Sequence, residues 1–256
     1  MKAFEGNLDV FESVFKRAVK HHFVREEWTL DNLLIIGDES NLKSLSKIGA
    51  VYCENQVQYK YDSSFEWVEL RSQILGLSPD LIIIQRQLGV HAGLGFSMGP
   101  ILVSLTQEFD IPVLSLPTEL NGFEIKNVLA GFDHQIDNSH LVNLSLLLKN
   151  RMDNLLLVHV EEESVFNYYL EAIGKIPGIN TDYARSNIEE TILSLSGDFF
   201  EDVTQNLSQE KIDIHSYCKL GNVVNEFEKL ISDHTIDLMV FEAKDDSKLA
   251  MHSLGQ

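Results

Sequence analysis

Residues 80–117, DLIIIQRQLGVHAGLGFSMGPILVSLTQEFDIPVLSLP, hold the reading that decides the fold. A short apolar run follows Ser78-Pro79. A loop with Gly89, Gly93, Gly95 and Gly99 comes next, then an amphipathic segment, and the stretch closes on Ile111-Pro-Val-Leu-Ser-Leu116. The order is strand, glycine loop, helix, strand. Glycines at a strand-to-helix junction allow positive φ and let backbone N–H groups approach an anion at a helix N-terminus. A flexible surface connection is the competing reading of such a loop.

Outward from this unit, strands and helices alternate. On the N-terminal side, Met1-Lys-Ala-Phe4 reads as a very short strand, and Leu8 to Val24 carries a helical stripe at Val10, Phe11, Val14, Phe15 and Val19. Asn32 to Gly37 reads as a strand, Asn41 to Ile48 as a short helix, and Val51 to Tyr61 as the next strand. Phe65 to Leu75 has helical spacing, with Gly76 and Pro79 as its stop. Thr118 to Glu124 is the best linker. Beyond it the pattern restarts: Leu30-Asp-Asn-Leu-Leu-Ile-Ile returns as Met152-Asp-Asn-Leu-Leu-Leu-Val, and Pro79-Asp-Leu-Ile-Ile-Ile returns as Ile236-Asp-Leu-Met-Val-Phe. Recurrence near half the chain, with strands and helices alternating, predicts two copies of one α/β domain, residues 1–117 and 118–256. Leu81 to Ile84 and Leu155 to Val158 are nearly continuous apolar runs, as parallel strands covered on both faces require.

Composition sets bounds. The chain has 256 residues, 44% of them hydrophobic, and a formal net charge of −19 from 39 acidic and 20 basic side chains. So acidic a chain argues against nucleic acid or an anionic membrane as partner. No apolar run reaches the roughly 18 residues of a membrane span, and the first 49 residues lack the order of a secretory signal, which predicts a cytoplasmic protein. Cys53 and Cys218 are too few for a disulfide framework and have no C-x-x-C spacing, so buried or half-buried thiols are expected.

The spacing Arg86-x2-Gly89-x9-Gly99-Pro100 resembles the G-x2-G-x9-G-[ST] motif of ATP-binding universal stress proteins (the UspA-like family), with Arg86 at the first glycine and Pro100 at the hydroxyl residue. Ile125 to Asp133 resembles that family's first strand with its terminal aspartate, and Glu5-Gly6-Asn7 aligns at the equivalent turn of the first half. The resemblance implies two tandem Rossmann-like domains of the adenine nucleotide alpha hydrolase type. Each would have a mostly parallel sheet with helices on both faces, the second lacking its final helix and strand. It further implies a candidate nucleotide site at Arg86, Gly89, His91, Gly93, Gly95 and Gly99, with Asp133 and Val160 beside an adenine base in the second half. In that half the motif glycines fall at Glu242 and Asp245, with nine residues between Asp245 and Gly255, and carboxylates there repel a triphosphate; a like-charge pair costs about 1 kcal/mol at 4 Å even in water. Pro100 has no N–H for a phosphate. Any ATP or AMP would therefore bind weakly and in the first half.

Other chemistry is sparse. Neither a G-x-S-x-G elbow, an H-E-x-x-H helix nor a Walker lysine occurs in the sequence. His91 reads as a solvent-facing loop histidine or an anion donor. His134 and His140 beside Asp133 lack a metal spacing, and Glu161-Glu-Glu163 reads as a solvated strand end. The helical excursion between Val160 and Ile212 covers a site or makes a partner surface. The expectation is a non-catalytic stress-response factor without a resident metal, acting by partner or small-ligand binding. It would pair as a homodimer, or as a pseudo-dimer of its halves, through the edge at Ile111 to Leu116 or the excursion. An adenine-nucleotide sensor is the alternative, and an enzyme of the wider nucleotide-binding superfamily stands third.

Overall fold

The computed structural model describes residues 21–62, 64–89, 98–118, 124–132, 138–147, 152–176 and 180–243. They form two compact units. The first spans Trp28–Phe123; the second spans Glu124–Glu242 and takes in the described residues 21–27.

In the first unit the elements are β1 (Leu33–Gly37), α1 (Leu42–Gly49), β2 (Gln56–Lys60), α2 (Trp67–Leu77), β3 (Leu81–Gln85), α3 (Pro100–Glu108) and β4 (Val113–Leu116). Its four strands are all parallel in the order β2-β1-β3-β4. Side chains alternate across a strand, so Leu34, Ile36, Ile82 and Ile84 share one face, where they meet Leu70 and Ile74 of α2 and Ile101 and Leu105 of α3. Leu33 and Ile35 take the opposite face, against α1 at Gly49. Helices therefore cover both faces, and β1 and β3 are buried along their whole length.

The second unit contains β5 (Asn127–Gly131), α4 (Ser139–Leu147), β6 (Asn154–Glu162), α5 (Glu163–Gly174), α6 (Thr181–Asn206), β7 (Asp213–Gly221), α7 (Val223–Asp233) and β8 (Leu238–Phe241). Its strands are also parallel, in the order β7-β6-β5-β8. The excursion after β6 is α5 and α6, which pack on each other through Phe166, Leu170, Ala184, Ile188 and Ile192. The expected strand end at Glu161 to Glu163 caps helices: Glu162 accepts from Ser164 N at 3.4 Å to start α5 and from Val223 N at 3.0 Å to start α7.

One node recurs in the two sheets. Asp80 Oδ2 accepts the N–H groups of Asp31 and Asn32 at 2.8 and 2.9 Å, and Asp237 Oδ2 accepts those of Lys126 and Asn127, both at 2.9 Å. Two residues before each aspartate, Ser78 and Thr235 both have φ of 47°. Asn55 and Asn154 donate to Asn32 and Asn127 at 2.6 and 2.7 Å. These bonds make β1 the counterpart of β5, and β3 that of β8.

Three expectations change. The recurrence of Leu30-Asp-Asn at Met152-Asp-Asn equates β1 with β6, and both are inner strands, but the aspartate node stands at the start of β1 and β5, and β1 pairs with β3 as β5 pairs with β8, so β1 corresponds to β5. Residues 51–54 are not strand. Val51, Tyr52 and Cys53 donate back to Ile48 and Gly49 as the last turn of α1 unwinds, so β2 starts at Gln56. Residues 21–24, at the end of the expected first helix, are not helical; the amides of Phe23 and Val24 go to side chains of the second unit. Met1-Lys-Ala-Phe4, the rest of that helix and Glu5-Gly6-Asn7 lie outside the described residues. Among the described residues no helix is long and apolar enough to cross a membrane.

Candidate functional site

In an open parallel sheet the crevice for a ligand forms where successive connections leave a strand in opposite directions, at the carboxyl ends of the strands. In the first unit that point lies between β1 and β3, since the chain runs from β1 out to β2 and returns past β1 to β3. Asp38 follows β1 and Gln85 ends β3. They bind each other reciprocally: Gln85 Nε2 donates to Asp38 Oδ2 at 2.9 Å, and Asp38 N donates to Gln85 Oε1 at 3.1 Å. The other carboxylate oxygen of Asp38 accepts from Ser40 Oγ at 2.6 Å and Asn41 N at 3.0 Å, which turns the chain into α1. The switch point is thus closed by side chains supplied 47 residues apart.

Burial alone would raise the Asp38 carboxyl, but the hydrogen bonds from Ser40, Gln85 and Asn41 outweigh it and hold it below its ordinary 3.8. A depressed folded value contributes stability above the unfolded value and loses it as pH falls through the folded one. Asp38→Asn should therefore be less stable than the parent at pH 7, and the gap should close below about pH 3.8. Urea midpoints of both proteins from pH 7 to pH 2.5 check this. A gap that persists unchanged to the lowest pH would show that the charge of Asp38 plays no part.

The glycine loop leaves this end of β3. Arg86 is exposed, and its N–H donates to the Leu116 carbonyl at 2.6 Å, tying the turn to β4. Gly89 and Gly99 have φ of 76° and 91°. A Cβ on Gly99 would lie 3.1 Å from the Leu88 carbonyl oxygen, and one on Gly89 3.4 Å from Pro100 Cγ, so the two glycines pinch the neck of the loop. Pro100 is the first residue of α3. His91, Gly93 and Gly95 lie outside the described residues.

In the second unit the switch point lies between β5 and β8. The register sets Glu242 at the position of Gln85, not at the first motif glycine; Ala243 takes that place, one residue on. Glu242 Oε2 lies 2.5 Å from His140 Nε2, at the start of α4. Val160 is half-buried and packs against the cluster of Leu129, Leu156, Val158 and Leu230. Asp133, Asp245 and Gly255 lie outside the described residues. The residue that sequence reasoning passed over is Asp38. Its signal was its offset from Asn32, which equals that of Asp133 from Asn127.

Beside the first switch point, an open groove of about 640 Å³ runs between α1 and β2, lined by Leu42, Lys43, Ser46, Lys47, Gln58 and Lys60 among others. Lys60 is already paired with Glu39 at 2.5 Å. Cys53 is buried, and burial pushes the half-buried Cys218 thiol up to about 11, which keeps it protonated and unreactive. Among the described residues no group of three or more His, Cys, Asp or Glu side chains gathers as for a metal ion.

Taken together, the class these features define is an α/β protein with two four-stranded, all-parallel, Rossmann-like sheets. Compared with known proteins, the chain matches no family model and no curated protein.

Proposed function

We propose that this chain is a non-catalytic binding protein, a tandem pair of universal stress protein-like domains that act in the cytoplasm by capturing a partner or small ligand. The observation that carries this reading is the closed switch point of the first unit, where Gln85 occupies Asp38 and Pro100 removes a donor from the start of α3. The tandem relation is supported by the shared aspartate node at Asp80 and Asp237. A homodimer belongs to the same reading; β4, an edge of its sheet, is the element available for pairing.

Thermal melting with millimolar ATP, ADP, AMP and NAD tests it. The expected result is no saturable rise with any of them. A ligand bound only to the native state at a hundredfold excess over its dissociation constant would add about 2.7 kcal/mol, so a saturable rise overturns the reading. The second reading, a weak adenine-nucleotide sensor, is favoured by the positive φ of both Gly89 and Gly99 at the loop neck. Under it, the exposed Arg86→Glu should remove the rise and Glu242→Gln should leave it intact.

A further inference from the structure

Residues 22–26 belong to no helix or strand, yet side chains of the second unit hold their main chain at five points, one of them Ser139 Oγ donating to the His22 carbonyl at 3.4 Å. Phe23 N donates to Asp202 Oδ2 at 2.7 Å, and Val24 N to Ser139 Oγ at 3.1 Å. Asn143 Nδ2 donates to the Val24 carbonyl at 2.8 Å, while its Oδ1 accepts from Glu26 N at 3.2 Å. Bonding the carbonyl of one residue and the N–H of the residue two further on is what a single residue of a parallel neighbouring strand does through its own N–H and C=O. The Asn143 amide stands in for that strand.

Asn143 is 1% exposed on an otherwise mostly apolar helix, and a buried amide is tolerated only when its hydrogen bonds are met. Helices α4 and α6 therefore present a built groove for main chain. Main-chain bonds accept many sequences, so selectivity falls to the side chains of the arm. Phe23 is buried at 6% exposure as an apolar anchor. Arg25 lies 4.0 Å from Glu210, and His22 lies 3.5 Å from Asp202. The motif is aromatic, any residue, then arginine.

We propose that this groove is a peptide-recognition site and that it takes the arm of a second copy of the chain, giving dimers by arm exchange. Three observations favour that occupant. The arm clusters with the second unit, although the residues that follow it, Trp28–Phe123, form the other compact unit. Its main chain is gripped by side chains and by no sheet ladder, so it leaves without breaking a sheet. Its basic residues meet Asp202 and Glu210, and the same bonds close whether arm and groove lie on one chain or two. The inference does not rest on the nucleotide reading, and a ligand-induced melting shift in either direction leaves it untouched.

The test mixes full-length variants. A tagged chain with a damaged arm and intact groove, Phe23→Ala with Arg25→Glu, is incubated with an untagged chain with an intact arm and damaged groove, Asn143→Leu, and the tagged chain is recovered. The expected result is capture of the untagged chain, falling roughly tenfold or more when that chain also carries Arg25→Glu, as loss of about 1.4 kcal/mol of binding free energy requires. In sedimentation, dimerisation of the parent should weaken in Arg25→Glu alone. That change is at a partly exposed side chain and so carries the test if Asn143→Leu does not fold. A parent that stays monomeric at all concentrations, or a dimer indifferent to Arg25→Glu, overturns the proposal.

Discussion

Leu129→Ala is expected to lower stability by about 2 to 5 kcal/mol, the range for large-to-small changes in a core that cannot collapse onto the space left. Leu129 is 0% exposed on β5, the strand flanked on both sides by β6 and β8, and it packs with Leu156, Val158 and Leu230. Neighbouring strands fix its backbone through the ladder, so little relaxation is available. Val224, 43% exposed on α7, is the contrast: Val224→Ala should stay within about 0.5 kcal/mol of the parent. Urea unfolding followed by far-UV circular dichroism measures both. Equal effects at the two positions would mean that the sheet does not bury Leu129 as described.

Gly99→Val is expected to cost at least about 1 to 3 kcal/mol in backbone strain alone, since φ of 91° with ψ of 142° is a region that side-chain-bearing residues rarely enter. A steric term adds to it, because the new Cβ would lie 3.1 Å from the Leu88 carbonyl oxygen and 3.3 Å from Gln87 Cα, both backbone atoms that cannot rotate away. At roughly 2 to 4 °C per kcal/mol for a chain near this size, melting should fall by several degrees. Gly76 within α2 has nothing within 4 Å of its missing Cβ, so Gly76→Ala should be neutral or stabilise by up to about 1 kcal/mol. Should both changes leave melting unaltered, the pinched neck is not a feature of the native state. Because Gly99 shapes the fold, Arg86 is the better residue for probing nucleotide binding.

The sequence by itself determined where most of the described strands and helices lie, residues 21–24 and 51–54 excepted, because that information is local. Leu81 to Ile84 and Leu155 to Val158 are apolar on every residue, and all of them are buried between helical layers. Gly76 and Pro79 mark where α2 stops, at Ser78 in the left-handed region. Asp80 and Asp237 precede matching apolar runs in the sequence, and in the structure each accepts two main-chain N–H groups at the start of an inner strand.

Only the tertiary structure decided neighbours. That β1 pairs with β3 as β5 pairs with β8, and so matches β5 and not β6, follows from pairing registers that no short window contains. Asp38 reads in isolation as a loop aspartate. Its occupation by Gln85 needs β3 to settle beside β1, which burial of both strands dictates and local propensity does not. The same holds for the arm at Phe23. Its apolar and polar residues suggest the end of a helix, but the energy of its main chain lies in Ser139, Asn143 and Asp202, more than a hundred residues away, and becomes available only once α4 and α6 have packed.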